Sequence, residues 1–186
     1  MKQKKNLHLV AWSIAGLLLY MGLSKLMDYT ILKKQIAASA FRRPEKTKMK
    51  GKLLPSFDML LPDSSTYFNT NEIPVGKPVV FFYFSPECPY CQAQMKEIIK
   101  EINQLKDIQF YVLTPFPFSE MKIFYEQYQL KKYLNITTGI DYKNFFGDYF
   151  KTQSVPYIAI YGKDRLFNEA FLGNIDSKQI KVIAEE

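Results

Sequence analysis

The stretch that most constrains this chain is Val79–Cys91, VVFFYFSPECPYC. An unbroken apolar run gives way to a short polar turn and then to two cysteines separated by two residues, the only cysteines in the chain. About six residues without a polar face read as a strand buried on both sides, the mark of a parallel sheet. Beyond the cysteines the spacing turns helical, with Met95, Ile98, Ile99, Ile102 and Leu105 at i, i+3, i+4, i+7 and i+10. The cysteine pair therefore stands where a buried strand hands over to an amphipathic helix. Open α/β sheets place their chemistry at such junctions.

The spacing has a chemical consequence. Cys88 falls at the cap of the helix and Pro89 at its first position, where a missing N–H costs nothing. Free backbone N–H groups and the positive end of the helix dipole then face the Cys88 sulfur and favour its thiolate. A thiolate attacks a disulfide and forms a mixed disulfide. Cys91, one turn deeper, is placed to attack Cys88 in turn and release a reduced substrate. Pro89 and Tyr90 shape the turn between the sulfurs and tune the redox behaviour. Glu87 precedes the nucleophile; its charge opposes a nearby thiolate if it is close, and otherwise it is a solvated turn residue.

Three other readings of the pair carry less. Zinc needs about four ligands, and the chain offers no second cysteine pair and a single histidine, His8, at the edge of an apolar segment. A purely structural disulfide would close too small a loop to constrain the unfolded chain much. Two inert buried cysteines would not need this junction. The expected site holds no metal and no organic cofactor.

The segment YFSPECPYCQAQM resembles the active-site segment of the thioredoxin superfamily, and its Cys-Pro-Tyr-Cys is the form glutaredoxins carry. With the upstream LPSFDMLL the layout is similar to the membrane-associated, extracytoplasmic TlpA/ResA-like branch, over about Leu54 to the C-terminus. The resemblance implies an α/β thioredoxin fold, a central mixed sheet flanked by helices, with an N-terminal β-hairpin and an inserted helix. It also implies that Val155–Pro156 is a cis turn beside the cysteines, with the Val155 backbone pairing with a bound peptide as an added strand does. One departure stands out. Many thioredoxins carry a buried acid six residues before the first cysteine; here that residue is Phe82. Gln94 occupies a position where some extracytoplasmic relatives carry a glutamate. No acid is in an obvious place to deprotonate Cys91, which leaves water or Glu87.

The charge is unevenly spread. The formal net charge is +7, but residues 1–52 hold 12 Lys+Arg against 2 Asp+Glu, and the remainder is mildly acidic. That distribution speaks against nucleic acid and for an N-terminal arm suited to anionic lipid. Lys2, Lys4 and Lys5 precede an apolar stretch from Leu7 that extends to Met27, with Lys25 snorkelling. As a helix it would measure about 31 Å, roughly one hydrocarbon core. Residues 1–27 read as a signal anchor, 28–52 as a basic juxtamembrane linker that is helical to about Ala40 and then flexible, and 53–186 as the thioredoxin-like domain. Lysine and arginine counts on the two sides of the span are similar, so the positive-inside rule is indecisive. The leader-like start and the resemblance place the domain on the extracytoplasmic, periplasmic side. A cleaved, secreted form and a cytoplasm-facing domain are the alternatives.

Along the domain the pattern predicts a hairpin over Phe57–Leu61 and Thr66–Phe68, then the central strand, the cysteine helix and a strand at Ile108–Leu113. Helices are expected from Ser119 to Leu134 and from Asp141 to Lys151, the latter with a core-facing aromatic stripe. Asn135-Ile136-Thr137 matches a glycosylation sequon and is given no role. A strand at Tyr157–Tyr161 turns at Gly162–Arg165 into Leu166–Leu172, and Asp176 caps a last helix through Ala184. Pro156 follows Cys88 by 68 residues, which leaves room for one helix more than the minimal fold.

The expected function is thiol–disulfide exchange with protein disulfide or dithiol substrates, with a membrane electron donor as a further partner. Reductase, oxidant and isomerase share the motif, and the direction of electron flow stays open. Two alternatives compete. Ser85-Pro86-Glu87-Cys88 has the S-x-x-C spacing of peroxiredoxin-type peroxidases, although Phe81 stands where their proline belongs and Arg165 is the only downstream arginine. The other is a non-catalytic binding module.

Overall fold

The structure, a computed structural model, describes residues 20–25, 27 and 42–186. The chain divides between residues 41 and 42 into two units. In the first, residues 20–25 and 27 are helical. Most of the expected anchor and its helical continuation lie outside the described residues. Among those described, no helix is long and apolar enough to cross a membrane.

The second unit is built on one seven-stranded mixed sheet. In chain order the elements are β1 (Asp58–Leu60), β2 (Tyr67–Asn69), β3 (Val79–Tyr83), α1 (Pro89–Lys100), β4 (Gln109–Thr114), α2 (Phe118–Gln127), β5 (Ile136–Ile140), α3 (Phe145–Phe150), β6 (Tyr157–Tyr161), β7 (Phe167–Leu172) and α4 (Ser177–Ala184). The sheet order is β2-β1-β5-β4-β3-β6-β7. β3, β4 and β5 run parallel. β6 pairs antiparallel with β3 and β7 with β6, and the β1–β2 hairpin pairs antiparallel with β5.

β3 sits at the centre because it has no polar face to expose. All five of its residues are buried, and successive side chains divide between the two layers. Val80, Phe82 and then Phe84 join Met95 and Ile98 of α1, Phe124 of α2 and Ile180 of α4. Val79, Phe81 and Tyr83 join the hairpin, β7 and Phe146 of α3. The strand–helix–strand unit β3–α1–β4 is the expected crossover.

Several expected elements change. The long helix after β4 stops at Gln127; Gln129 has a left-handed backbone (φ +50) and a short 3-10 turn follows at Leu130–Lys132. Ile136–Ile140, predicted as no element at all, is a strand. Its sequence, ITTGI, lacks a clear apolar alternation, and Gly139 weakens it by propensity. The glycine is there for packing: a Cβ would lie 2.6 Å from the Met59 side chain and 2.9 Å from the Leu60 carbonyl of β1. The segment inserted between β4 and β6 thus contributes a strand as well as a helix. Asn135 of the sequon is buried, and its amide donates to the Leu105 and Ile108 carbonyls. α3 begins at Phe145 rather than Asp141. The Asp141 carboxylate accepts the Phe145 and Phe146 N–H groups at 2.8 and 2.7 Å, so it ties down the helix start from outside.

The basic segment 42–52, expected to be linker, lies along the β7 edge. Glu45 N–H donates to Ala170 O, Gly51 N–H to Phe167 O, and Phe167 N–H to Lys52 O. Lys50 pairs with Glu169 at 3.2 Å. A bare outer strand would present unpaired backbone groups, and this segment covers them.

Candidate active site

Cys88 is the N-cap residue of α1, with extended backbone (φ −71, ψ 118) and Pro89 following as the first helical residue. Its N–H donates to Ser85 O at 3.1 Å, and its carbonyl accepts the first helical bond, from Gln92 N at 3.0 Å. Ser85 thereby closes the turn while the first N–H groups of α1 remain directed outward. Gln92 reaches back with its side-chain amide to Pro86 O at 3.0 Å and fixes the preceding loop.

The two sulfurs differ in environment. Both thiols are free; Cys88 is half-buried and Cys91 fully buried. Burial pushes the Cys91 thiol well above the usual range. A hydrogen bond with the Ser85 backbone opposes that shift, and the hydrogen bond between the Cys88 and Cys91 side chains adds to it. Cys91 belongs to the same buried apolar cluster as Phe82, Phe84 and Met95. Among the described residues Asp141 is the only buried carboxylate, and it lies at the start of α3 against the other face of the sheet. Among the described residues no carboxylate figures among the groups that perturb Cys91. Gln94 is fully buried and does not face the sulfurs as a proton carrier; it braces Ile175, accepting its N–H at 2.8 Å and donating to its carbonyl at 3.2 Å.

The second wall comes from the sheet register. Tyr83, the last residue of β3, lies opposite Tyr157, the first of β6. Pro156 therefore falls beside the loop that leads to Cys88. The Val155–Pro156 peptide is cis, Pro156 is buried, and Val155 is half-buried against both cores. Gly173 N–H donates to Pro156 O at 2.7 Å. Tyr90 is 69% exposed, and its carbonyl accepts the Asn174 amide at 2.9 Å. Glu87 is exposed on the rim of a groove with Pro86, Gln92, Glu120 and Ile123.

The structure thus brings Cys88, Pro89, Tyr90, Cys91, Val155 and Pro156 together, with Glu87 on the outer rim. Arg165 does not join them. It sits in the β6–β7 turn, at the opposite end of β6 from Pro156, and donates to Thr70 O at 3.1 Å. The arginine that the peroxidase alternative required is therefore far from the sulfurs. Sequence reasoning missed Asn174, Arg42 and the bracing role of Gln94. Each acts through a contact 80 or more residues away in the chain, and no local pattern marks such contacts.

Comparison with known proteins agrees with the fold. The family model for a thioredoxin-like domain matches residues 73–180. An uncharacterized protein of Haemophilus influenzae is 30% identical over 116 residues, which span 60% of this chain and 74% of that protein. A secreted Mycobacterium tuberculosis disulfide oxidoreductase superposes with a TM-score of 0.55 at 19% identity, over 68% of this chain and 90% of its own. The thioredoxin domain of a thiol-disulfide oxidoreductase from Bacteroides vulgatus does so with a TM-score of 0.56 at 14% identity, over 74% and 99%. At such identities the superpositions speak for the fold.

Proposed function

The chain belongs to the thioredoxin-like family, and from that premise we propose that it is a thiol–disulfide oxidoreductase acting on protein substrates through Cys88 and Cys91. The observation that carries the reading is the asymmetry of the pair. Cys88 is reachable at a helix N-terminus, and Cys91 is shielded behind it, three residues further along the same helix.

The chemistry follows from that asymmetry. In the reducing direction the Cys88 thiolate attacks one sulfur of a substrate disulfide. The substrate S–S bond breaks, one substrate thiolate leaves and takes up a proton, and a Cys88–substrate mixed disulfide forms. Cys91, once deprotonated, attacks Cys88 Sγ, the mixed disulfide breaks, and the second substrate thiol departs. Two electrons and two protons have passed from the enzyme dithiol to the substrate. The oxidising direction is the same sequence reversed. Burial keeps Cys91 protonated until the second step, so resolution is slower than attack and speeds up with pH. The Val155 backbone, at the cis turn, is available to pair with an extended substrate segment.

We place the domain on the extracytoplasmic side of a membrane, held by the apolar segment of residues 7–27, with anionic lipid around the basic flank and a membrane electron donor as redox partner. The lysine-flanked apolar run and the basic arm support that placement. Fractionation of cells with protease applied from outside tests it: a soluble, protected domain would refute it.

The central test is chemical. Cys88→Ser should lower disulfide reduction, with insulin as substrate and dithiothreitol as donor, by about 10³-fold or more. Cys91→Ser should accumulate a mixed disulfide at Cys88, visible by mass spectrometry. Wild-type rates in Cys88→Ser would remove this cysteine from the reaction.

A further inference from the structure

At Arg42 the segment that runs along β7 meets the loop beside the active site. Arg42 is clamped by its backbone: its N–H donates to Gln179 Oε1 at 2.8 Å, and its carbonyl accepts Gln179 Nε2 at 2.6 Å. Its guanidinium is thereby delivered to the loop that joins β7 to α4. Nη1 donates to the Asn174 carbonyl at 3.2 Å. The same group covers Gly173, where a Cβ would lie 2.6 Å from Arg42 Nη1 and 2.9 Å from Cζ. Gly173 also has φ +85, a conformation that glycine adopts without steric cost. Its backbone conformation is what calls for glycine at 173, and the arginine lies over the space that a side chain there would occupy.

The loop under Arg42 holds both sides of the redox site. Gly173 N–H fixes the Pro156 carbonyl at 2.7 Å, and Asn174 Nδ2 fixes the Tyr90 carbonyl, inside the Cys-Pro-Tyr-Cys turn, at 2.9 Å. A substrate segment bound between the cis turn and Cys88 meets two walls whose separation this loop sets.

We propose that Arg42 is a positioning residue for disulfide exchange, which fixes the 173–174 loop and through it the distance between Tyr90 and Pro156. The proposal rests on the functional reading above. It assigns the basic arm a second task beside any contact with lipid: Arg42, where the arm's segment along β7 begins, completes the substrate-binding walls. Arg42 touches neither sulfur, so its loss should weaken substrate binding and leave the sulfur chemistry alone. Lysine is a poor replacement, because a point charge lacks the planar guanidinium that covers Gly173 while it reaches the Asn174 carbonyl.

The experiment compares full-length wild type with Arg42→Gln, Arg42→Lys, Asn174→Ala and Lys50→Ala in the insulin reduction assay. Lys50→Ala removes an exposed ion pair on the same segment away from the site. Arg42→Gln keeps the backbone clamp to Gln179, so its fold should persist, with circular dichroism as the check. Its KM should rise about 3- to 10-fold while kcat stays within about 2-fold. Asn174→Ala should act in the same direction, and the Arg42→Gln/Asn174→Ala pair should be less than additive. Lys50→Ala should match wild type. An unchanged KM in Arg42→Gln, a lowered melting temperature as its sole effect, full additivity of the pair, or full rescue by lysine would each overturn the positioning role. An inactive wild type would overturn the functional reading and this inference with it. An active wild type with an indifferent Arg42 would overturn this inference alone.

Discussion

The two faces of the sheet are made of different material. The face that carries α1, α2 and α4 is filled largely with aliphatic side chains around Phe82, Phe84 and Phe124, and Cys91 lies within it. The face that carries α3 and the hairpin is dominated by aromatic rings: Phe57, Phe81, Tyr83, Tyr111, Phe146, Tyr157, Tyr161 and Phe167. Phe146 alone stacks on Tyr83 and lies tilted or edge-on to Phe81, Phe150 and Tyr157. The buried carboxylate also belongs to the second side, where Asp141 holds the start of α3. Burial raises Asp141 above the usual carboxylate range, and it pushes Tyr83, Tyr111 and Tyr157 up to about 12. The lesson is a division of labour. On the aromatic face Asp141 and the Tyr83 hydroxyl hold the loop before α3, whereas Cys91 lies among apolar side chains whose burial favours its protonated form.

That contrast can be broken from either side. The largest effect is expected from Phe146→Ala, which empties the centre of the aromatic face and should cost about 3–5 kcal/mol in urea unfolding. Disulfide reduction per folded molecule should stay at the wild-type rate. A large loss of activity in the folded variant would show that the faces are not independent. Met95→Ala, on the opposite face and in the same apolar cluster as Cys91, should cost about 2–5 kcal/mol. In this variant the chemistry should move as well: water entering the space lowers the cost of ionising Cys91, and alkylation of Cys91 and resolution of mixed disulfides should both accelerate. An unaltered Cys91 reactivity would remove burial as the cause of its raised titration.

The smallest effect is a pH dependence. Cys91 holds its proton more tightly in the folded than in the unfolded state, so the stability it contributes is complete below the unfolded thiol range and declines as pH rises. Relative to Cys91→Ser, the reduced wild-type protein should lose about 1.4 kcal/mol per pH unit above about pH 8.5. Denaturant melts of both proteins between pH 7 and pH 10 measure the difference. Parallel curves would contradict the burial argument, and the oxidised protein, with no thiol to ionise, should track the serine variant.

Much of the first face was legible in the chain. The fully apolar β3, the cysteine spacing, Pro89 at the helix start and the period of Met95 and Ile98 are local patterns, and each local preference agrees with the fold. The departure at Phe82 was legible too, and the structure surrounds that residue with apolar neighbours. The second face was harder to read. β5 was missed because Thr137, Thr138 and Gly139 give no strand pattern. The strand exists because Gly139 lets β1 approach and because β4 offers it a parallel edge. Helix ends were overrun at Gln127 and at Asp141, where a left-handed residue and a side-chain acceptor from outside the helix set the limits.

By itself the sequence determined the junction at which the two cysteines sit, because burial of a strand, capping of a helix and the reach of a dithiol turn are all matters of a few consecutive residues. The tertiary structure decided what surrounds that junction: the Pro156 turn at its side, the Asn174 amide on the Tyr90 carbonyl, Gln94 braced on Ile175 and the arginine that covers Gly173. Those contacts join residues tens to more than a hundred positions apart. Hydrogen bonds and close packing act across space, so they are defined only once the sheet register has brought the partners together.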